Sequence, residues 1–266
     1  MKTSVLMINS SVKDGGTAKV VEQLRAELKK KSIESSLWVK KKLVEDSGVF
    51  ELGGRQLMLK QLSKVLGRDD IELYLNDLFH QALATDVSYF NNEELWGSHY
   101  YRNCSVVHCH NLHGMFFNLD NLINISKLKK VVWTLHDMWP ITGHCAHSFE
   151  CDRWIGGCHN CPHLDTYQSL AWDNSRNLWN TKKLIYKKTK MTVVVPSVWL
   201  LNKVKHSILS DQKIVLIPNG VDEAKFIPGD KRKFKAELGI DGGRKVVLFL
   251  AQGGTDNVWK GGEYFK

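Results

Sequence analysis

The residues best equipped for chemistry in this chain are histidines and cysteines, and they crowd into one segment. TLHDMWPITGHCAHSFECDRWIGGCHNCPHL, Thr134 to Leu164, holds four of the six cysteines and five of the eleven histidines. Cys145, Cys151, Cys158 and Cys161 follow the spacing C-x5-C-x6-C-x2-C. The last pair has the spacing of a zinc half-site, the first pair is looser, and His144, His147 or His159 could replace a thiolate. Two readings stand side by side: a structural zinc that cross-links a loop poor in apolar residues, or a set of buried or reactive free thiols. Cys104 and Cys109 lie in or beside an apolar run and are assigned to the core.

A second group of polar residues recurs in a different pattern. His108, His110 and His113 come from SVVHCHNLHG, His136 and Asp137 follow VVWTL, Ser197 closes MTVVVPS, Asn219 and Gly220 close KIVLIPNG, and Asp14-Gly15-Gly16-Thr17 comes shortly after SVLMIN. Each sits at the end of a short apolar run. In open α/β sheets the ligand crevice lies beyond the carboxyl ends of the strands, so this convergence predicts a site there. Gly15 and Gly16 let a backbone approach a ligand closely, and the start of the following helix favours a negative group.

The elements that must position these residues are legible as runs. Strands are predicted at Ser4 to Asn9, Ser36 to Val39, Ser105 to His110, Val131 to His136, Met191 to Ser197, Lys213 to Gly220 and Lys245 to Gln252. Valine-rich runs without alternation fit strands buried on both faces. Helices are predicted at Ala18 to Lys30, Leu119 to Lys129, Asn177 to Lys188 and Val198 to Ser207, from apolar residues that recur on one helical face. Strands alternating with helices give an α/β, doubly wound parallel sheet. Pro228 and Gly229 in FIPGD, Phe226 to Asp230, interrupt the pattern. The expected organisation is a domain over 1–225, with a Cys-rich loop at 143–163, and a second over 226–266. The latter falls far below the usual domain size of ~100 residues, so it reads as the cut-off start of a domain.

Composition bounds the partners. The chain has 266 residues, 43% of them hydrophobic, and a formal charge of +9. That balance favours nucleotide phosphates, anionic lipid or nucleic acid without choosing among them. The basic clusters, such as Lys40-Lys41-Lys42, Lys182-Lys183 and Lys231-Arg232-Lys233, are scattered and read individually as solvated faces. Together they permit contact with an anionic inner-membrane surface. No nucleic-acid motif is present, and no run approaches the roughly twenty apolar residues of a membrane span. The first apolar run is too short for a signal peptide. A cytoplasmic location follows, where thiols stay reduced.

TLHDMW, GHC, CDRW, GCHNCP, HCHNLHG, PSVWL and IPNGVD together resemble the family 4 retaining glycosyltransferases of GT-B fold, in particular the bacterial exopolysaccharide type related to colanic acid synthesis. The resemblance covers nearly the whole chain. It implies two Rossmann-like domains, with the acceptor mainly on the first and a nucleotide-sugar donor mainly on the second, and no organic cofactor. By matching position, Gly15 and Gly16 lie near the donor phosphates and His136 lines the catalytic cleft. His110, His113, Asp137, Ser197, Asn219 and Gly220 belong to the acceptor side of that cleft. Lys260, in WKGG, would neutralise the departing diphosphate. The acceptor would be lipid-linked or an oligosaccharide. The family's E-x7-E segment is not found, and Gln252-Gly253-Gly254 stands where many members carry an arginine. The resemblance therefore implies an N-terminal part that does not turn over by itself.

Two rival readings use the same residues. A metal-dependent hydrolase would gather His108, His110, His136 and Asp137 on an ion, and a non-enzymatic basic module would be built around zinc.

Overall fold

The computed structural model describes residues 3–13, 15–52, 65, 78, 82–87, 92–251, 253–257 and 260–265. Asp14 and Gln252, both named above, lie outside them. The described chain divides into two compact units, Met1–Gly220 and Val221–Lys266.

The first unit is a Rossmann-like α/β domain. Its strands are β1 (Ser4–Asn9), β2 (Glu34–Val39), β3 (Val49–Glu51), β4 (Val106–Cys109), β5 (Lys130–Thr134), β6 (Thr192–Val195) and β7 (Lys213–Leu216). All pair in parallel, in the order β3-β2-β1-β4-β5-β6-β7. The order reverses between β1 and β4, which opens a crevice at their carboxyl ends. The helices are α1 (Gly15–Lys30), α2 (Glu93–Gly97), α3 (His99–Asn103), α4 (Asn121–Leu128), α5 (Arg153–Gly156), α6 (Ser175–Lys187) and α7 (Val198–Lys205), with a 3-10 turn at Trp139–Ile141.

Burial on both faces explains the valine-rich strands. On β1, Leu6 and Ile8 enter a large core with Val107, Trp133, Trp139 and Tyr186, whereas Met7 faces a smaller one with Val21, Leu37, Val39 and Val49. Helix α1 covers that second face through Val21, Leu24 and Leu28. Removing such side chains from water is worth about 1.5–3 kcal/mol each, which holds the helices against the sheet.

The boundaries differ from the sequence reading in consistent ways. Helix α1 begins at Gly15 rather than Ala18. Strands β5, β6 and β7 end before His136, Ser197 and Gly220, so these residues sit on the loops just past the ladder. Strand β3 and helices α2 and α3 were not anticipated, because three to five residues carry too little periodicity to register.

The second unit contains α8 (Lys231–Glu237) and 3-10 turns at Gly254–Asp256 and Gly262–Tyr264. The strand expected from Lys245 is a correction. Residues 245–250 form no ladder, and Val247, Leu248 and Leu250 are 77, 80 and 89% exposed. An apolar run becomes a strand only beside another strand, and none is described in this unit.

Candidate functional site

Two rungs of histidine span the crevice side of β4 and β5. His108 pairs in register with Val132. Because successive side chains alternate faces, His108 and His110 project to one side of β4 and its extension, and Thr134 and His136 to the same side of β5. Each reaches diagonally across. His108 Nε2 lies 2.8 Å from Thr134 Oγ1, and His110 Nδ1 lies 3.0 Å from His136 Nε2. The His108 and His110 rings lie 4.3 Å apart, and the His110 and His136 rings stack at 5.3 Å.

Burial fixes the charge of this column. His108 is pushed down to about 4 chiefly by desolvation, with His136 adding to it. Desolvation also holds His110 well below the usual histidine range, reinforced by His108 and His136. His136 falls to about 4 for the same first reason, although Asp137 opposes the shift. All three rings are neutral at neutral pH, so they act as hydrogen-bonding groups and not as cations.

The loops after β1 and β4 are stitched to this column. Asn9 Oδ1, at the end of β1, accepts from the Asn111 backbone N–H at 3.1 Å, and the Asn111 side-chain amide donates to Thr17 Oγ1 at 3.1 Å. The first turn of α1, with Gly15 and Gly16, is thereby joined to the HNLHG loop. Both glycines are exposed, and nothing among the described residues stands within 4 Å of where a Cβ would lie on either. Gly15 has φ +81°, a conformation that glycine adopts freely.

His113 closes the other side. Its Nδ1 lies 2.8 Å from Gln168 Nε2, its Nε2 is 3.6 Å from Asp137 Oδ2, and its ring meets Trp139 and Tyr167 edge-on. Asp137 Oδ1 accepts from the Trp139 backbone N–H at 2.9 Å, and the Trp139 indole N–H donates to the buried Asp86. Beneath this turn the fully buried Lys182 donates to the carbonyl oxygens of Trp139, Thr142 and Gly143 at 2.8, 3.2 and 3.2 Å. Burial lowers its ammonium to about 8, opposed by Asp86.

The chain matches the profile of Glycosyltransferase Family 4 over residues 14–225. The chain belongs to glycosyltransferase family 4. It is 30% identical over 129 residues to a candidate colanic acid biosynthesis glycosyl transferase, WcaC, of Escherichia coli (strain K12), covering 45% of this chain and 32% of that protein. It is also 49% identical over 41 residues to the D-inositol 3-phosphate glycosyltransferase of Segniliparus rotundus, covering 15% of this chain and 9% of that one. The chain thus spans about a third or less of the length of the curated relatives it matches.

Within this family 4 domain, the structure gathers His108, His110, His113, His136 and Asp137 around the end of the β4-β5 pair. Ser197 is at the end of β6, but its hydroxyl is engaged as the cap of α7, accepting from Leu200 N–H at 3.2 Å. Asn219 and Gly220 are exposed beyond β7, the edge strand farthest from β1. Lys260 is exposed in the second unit. Asp86, Gln168 and Lys182 were missed. Lys182 alone carried a sequence signal: it falls four residues after Leu178 and three before Ile185, on the buried stripe of α6.

The metal readings find no support. Cys145, Cys151, Cys158 and Cys161 do line one cavity of about 20 Å³, room for roughly one water molecule. All six cysteines are free thiols. Cys158 Sγ accepts from Gly143 N–H, and Cys161 Sγ lies 3.3 Å from His144 Nε2. Burial pushes Cys145 up to about 11 and Cys158 up to about 12, so both are thiols in the metal-free chain. Among the described residues no group of three or more His, Cys, Asp or Glu is arranged to hold a metal ion. The residues have the right type for zinc but do not fit it in arrangement. The hydrolase reading is not favoured for a related reason: His110 and His136 face each other and His108 is tied to Thr134. No helix among the described residues is long and apolar enough to cross a membrane.

Proposed function

We propose that this chain forms the acceptor side of a retaining GT-B glycosyltransferase that moves a sugar from a nucleotide-sugar donor to a lipid-linked or oligosaccharide acceptor in surface-polysaccharide synthesis, at the inner face of the cell membrane. The observation that carries the reading is the His110–His136 pair at the sheet's carboxyl edge, joined through Asn111 and Thr17 to the Gly15-Gly16 turn. The glycine turn supplies open backbone at the start of a 16-residue helix, suited to the donor phosphates. His136 is half-buried and neutral, suited to hydrogen-bond the sugar undergoing transfer. His113 and Asp137 line the acceptor side, with Ser197, Asn219 and Gly220 on neighbouring strand ends. For Lys260, on the second unit, the role proposed is the one the resemblance implies, neutralising the departing diphosphate. The name of the WcaC relative supports the polysaccharide setting.

The test is turnover of a panel of nucleotide sugars with lipid-linked and oligosaccharide acceptors by the full-length protein carrying this sequence. His136→Ala is expected to lower kcat by ~10² or more while the fold persists. An unchanged rate would remove His136 from the chemistry and overturn the assignment.

A further inference from the structure

The histidine pair also carries information about where its protons sit. His110 is 1% exposed, and its Nδ1 faces His136 Nε2 at 3.0 Å. Its other nitrogen, Nε2, is buried with no hydrogen-bond partner among the described residues. A neutral imidazole holds one proton, on one nitrogen or the other.

Two arrangements satisfy the 3.0 Å contact. If His136 donated from Nε2, His110 Nδ1 would be the acceptor and the His110 proton would sit on the buried Nε2, with no acceptor among the described residues. If His110 donates from Nδ1, its Nε2 is a bare lone pair and His136 Nε2 is the acceptor. Orphaned buried N–H groups are rarer in native proteins than under-satisfied acceptors, so the second arrangement is favoured. The His136 proton must then be on Nδ1, the ring nitrogen His110 does not use.

We infer that His110 is a positioning residue that fixes His136 as its Nδ1–H tautomer, a neutral donor offered to an oxygen of the sugar or phosphate in the cleft. Its use in transfer rests on the function proposed above; the tautomer does not. The surroundings hold the pair in place. The His108 ring packs on His110 at 4.3 Å and is tethered by Thr134, while Trp133 Nε1 donates to the His110 carbonyl oxygen at 2.7 Å. Desolvation keeps both imidazoles neutral, so no second proton blurs the assignment. The consequence is polarity: the cleft would meet a donor at His136, matched to acceptor oxygens, and not a base poised to take a proton.

Long-range ¹H–¹⁵N correlation spectra of histidine-labelled full-length protein read the tautomer directly, with the His136 signals identified by their loss in His136→Gln. The expected spectrum has a protonated, pyrrole-type Nδ1 and a bare, pyridine-type Nε2 for His136. His110→Asn, whose amide can donate from near the Nδ1 position, should keep that pattern and most of kcat. His110→Phe, which keeps a ring but no donor, should shift His136 toward its Nε2–H form and lower kcat roughly tenfold, the worth of about one hydrogen bond, with little change in donor KM. A wild-type His136 protonated on Nε2, or a spectrum unchanged in His110→Phe, overturns the inference. If His110→Phe does not fold, the wild-type and His110→Asn spectra decide it. An Nδ1–H tautomer alongside an active His136→Ala would defeat the transfer reading and leave the pair intact. An Nε2–H tautomer with an inactive His136→Ala would do the reverse.

Discussion

The ammonium of Lys182 lies 3.7 Å from the centre of the Trp139 ring and 2.8 Å from the Trp139 carbonyl oxygen, so one side chain grips both the indole and the backbone of the turn that follows His136 and Asp137. The turn is held from below by α6, and the site inherits that support.

Lys182→Met should therefore cost stability beyond its own packing. It strips three carbonyl oxygens of their donor and removes the cation from the indole face. A loss of about 2–5 kcal/mol is expected, read as a lower urea midpoint at an unchanged slope. Lys183→Met, whose ammonium lies over Trp179 at 4.8 Å, serves as the neighbouring control and should cost less than about 1 kcal/mol. Equal losses in the two variants would contradict this account.

Acid should unfold the domain through its histidines. His108 and His136 titrate near 4 in the folded chain against 6.5 when unperturbed. Between those values the unfolded chain binds more protons than the folded one, so stability rises with pH across that window. It is fully present above about 6.5 and lost as pH falls through about 4, by a few kcal/mol in total. Denaturant midpoints measured from pH 7 down to 4 should fall accordingly, and the His108→Asn, His136→Asn double variant should flatten the slope.

The two glycines should separate strain from binding. Gly15→Ala places a Cβ on a residue at φ +81° and should destabilise by about 1 kcal/mol. Gly16 has open space around it among the described residues and no positive φ, so Gly16→Ala should leave the thermal midpoint nearly unchanged while raising donor KM, as the added methyl would occupy the approach proposed for the donor phosphate. A Gly16→Ala protein with normal donor affinity would take this turn out of the donor site.

Thiol chemistry checks the cysteine loop. Burial holds Cys109 and Cys158 up near 12 and Cys145 near 11, so native protein at pH 8 should alkylate slowly at all three and fast once unfolded in urea. A strong chelator should not change those rates. Acceleration by the chelator would reveal thiolates held by a metal.

Much of this was legible in advance because the sheet is made of long-lived signals. The valine runs of β1, β4, β5 and β6 located the strands to within two residues, and the polar residues at their ends mark the rim of the candidate site. The histidine ladder was less visible. Its members come from HCH and TLH in separate runs, and only the pairing of His108 with Val132 shows that they meet. Asp86 was beyond reach, since nothing in its neighbourhood announces a partner 53 residues away. Lys182 was read as part of a solvated basic pair because charge was weighed ahead of helical phase. The cysteine spacing suggested a metal, yet spacing fixes which thiols are near one another and leaves their orientation to the packing around Trp154 and Ser175.

The two rungs, His108 to Thr134 and His110 to His136, span the same interval of 26 residues. That interval is a ruler whose markings lie on the strands and on the residues that directly extend them. An extra residue in the loop between Gly114 and Asn118 could be taken up as slack, leaving both imidazole contacts in place. The same residue inserted between Val131 and Thr134 would turn Thr134 and His136 to the opposite face of the sheet and erase both rungs together. Length variation among natural or engineered versions of this domain is therefore expected to collect in that loop and to stop abruptly at Lys130.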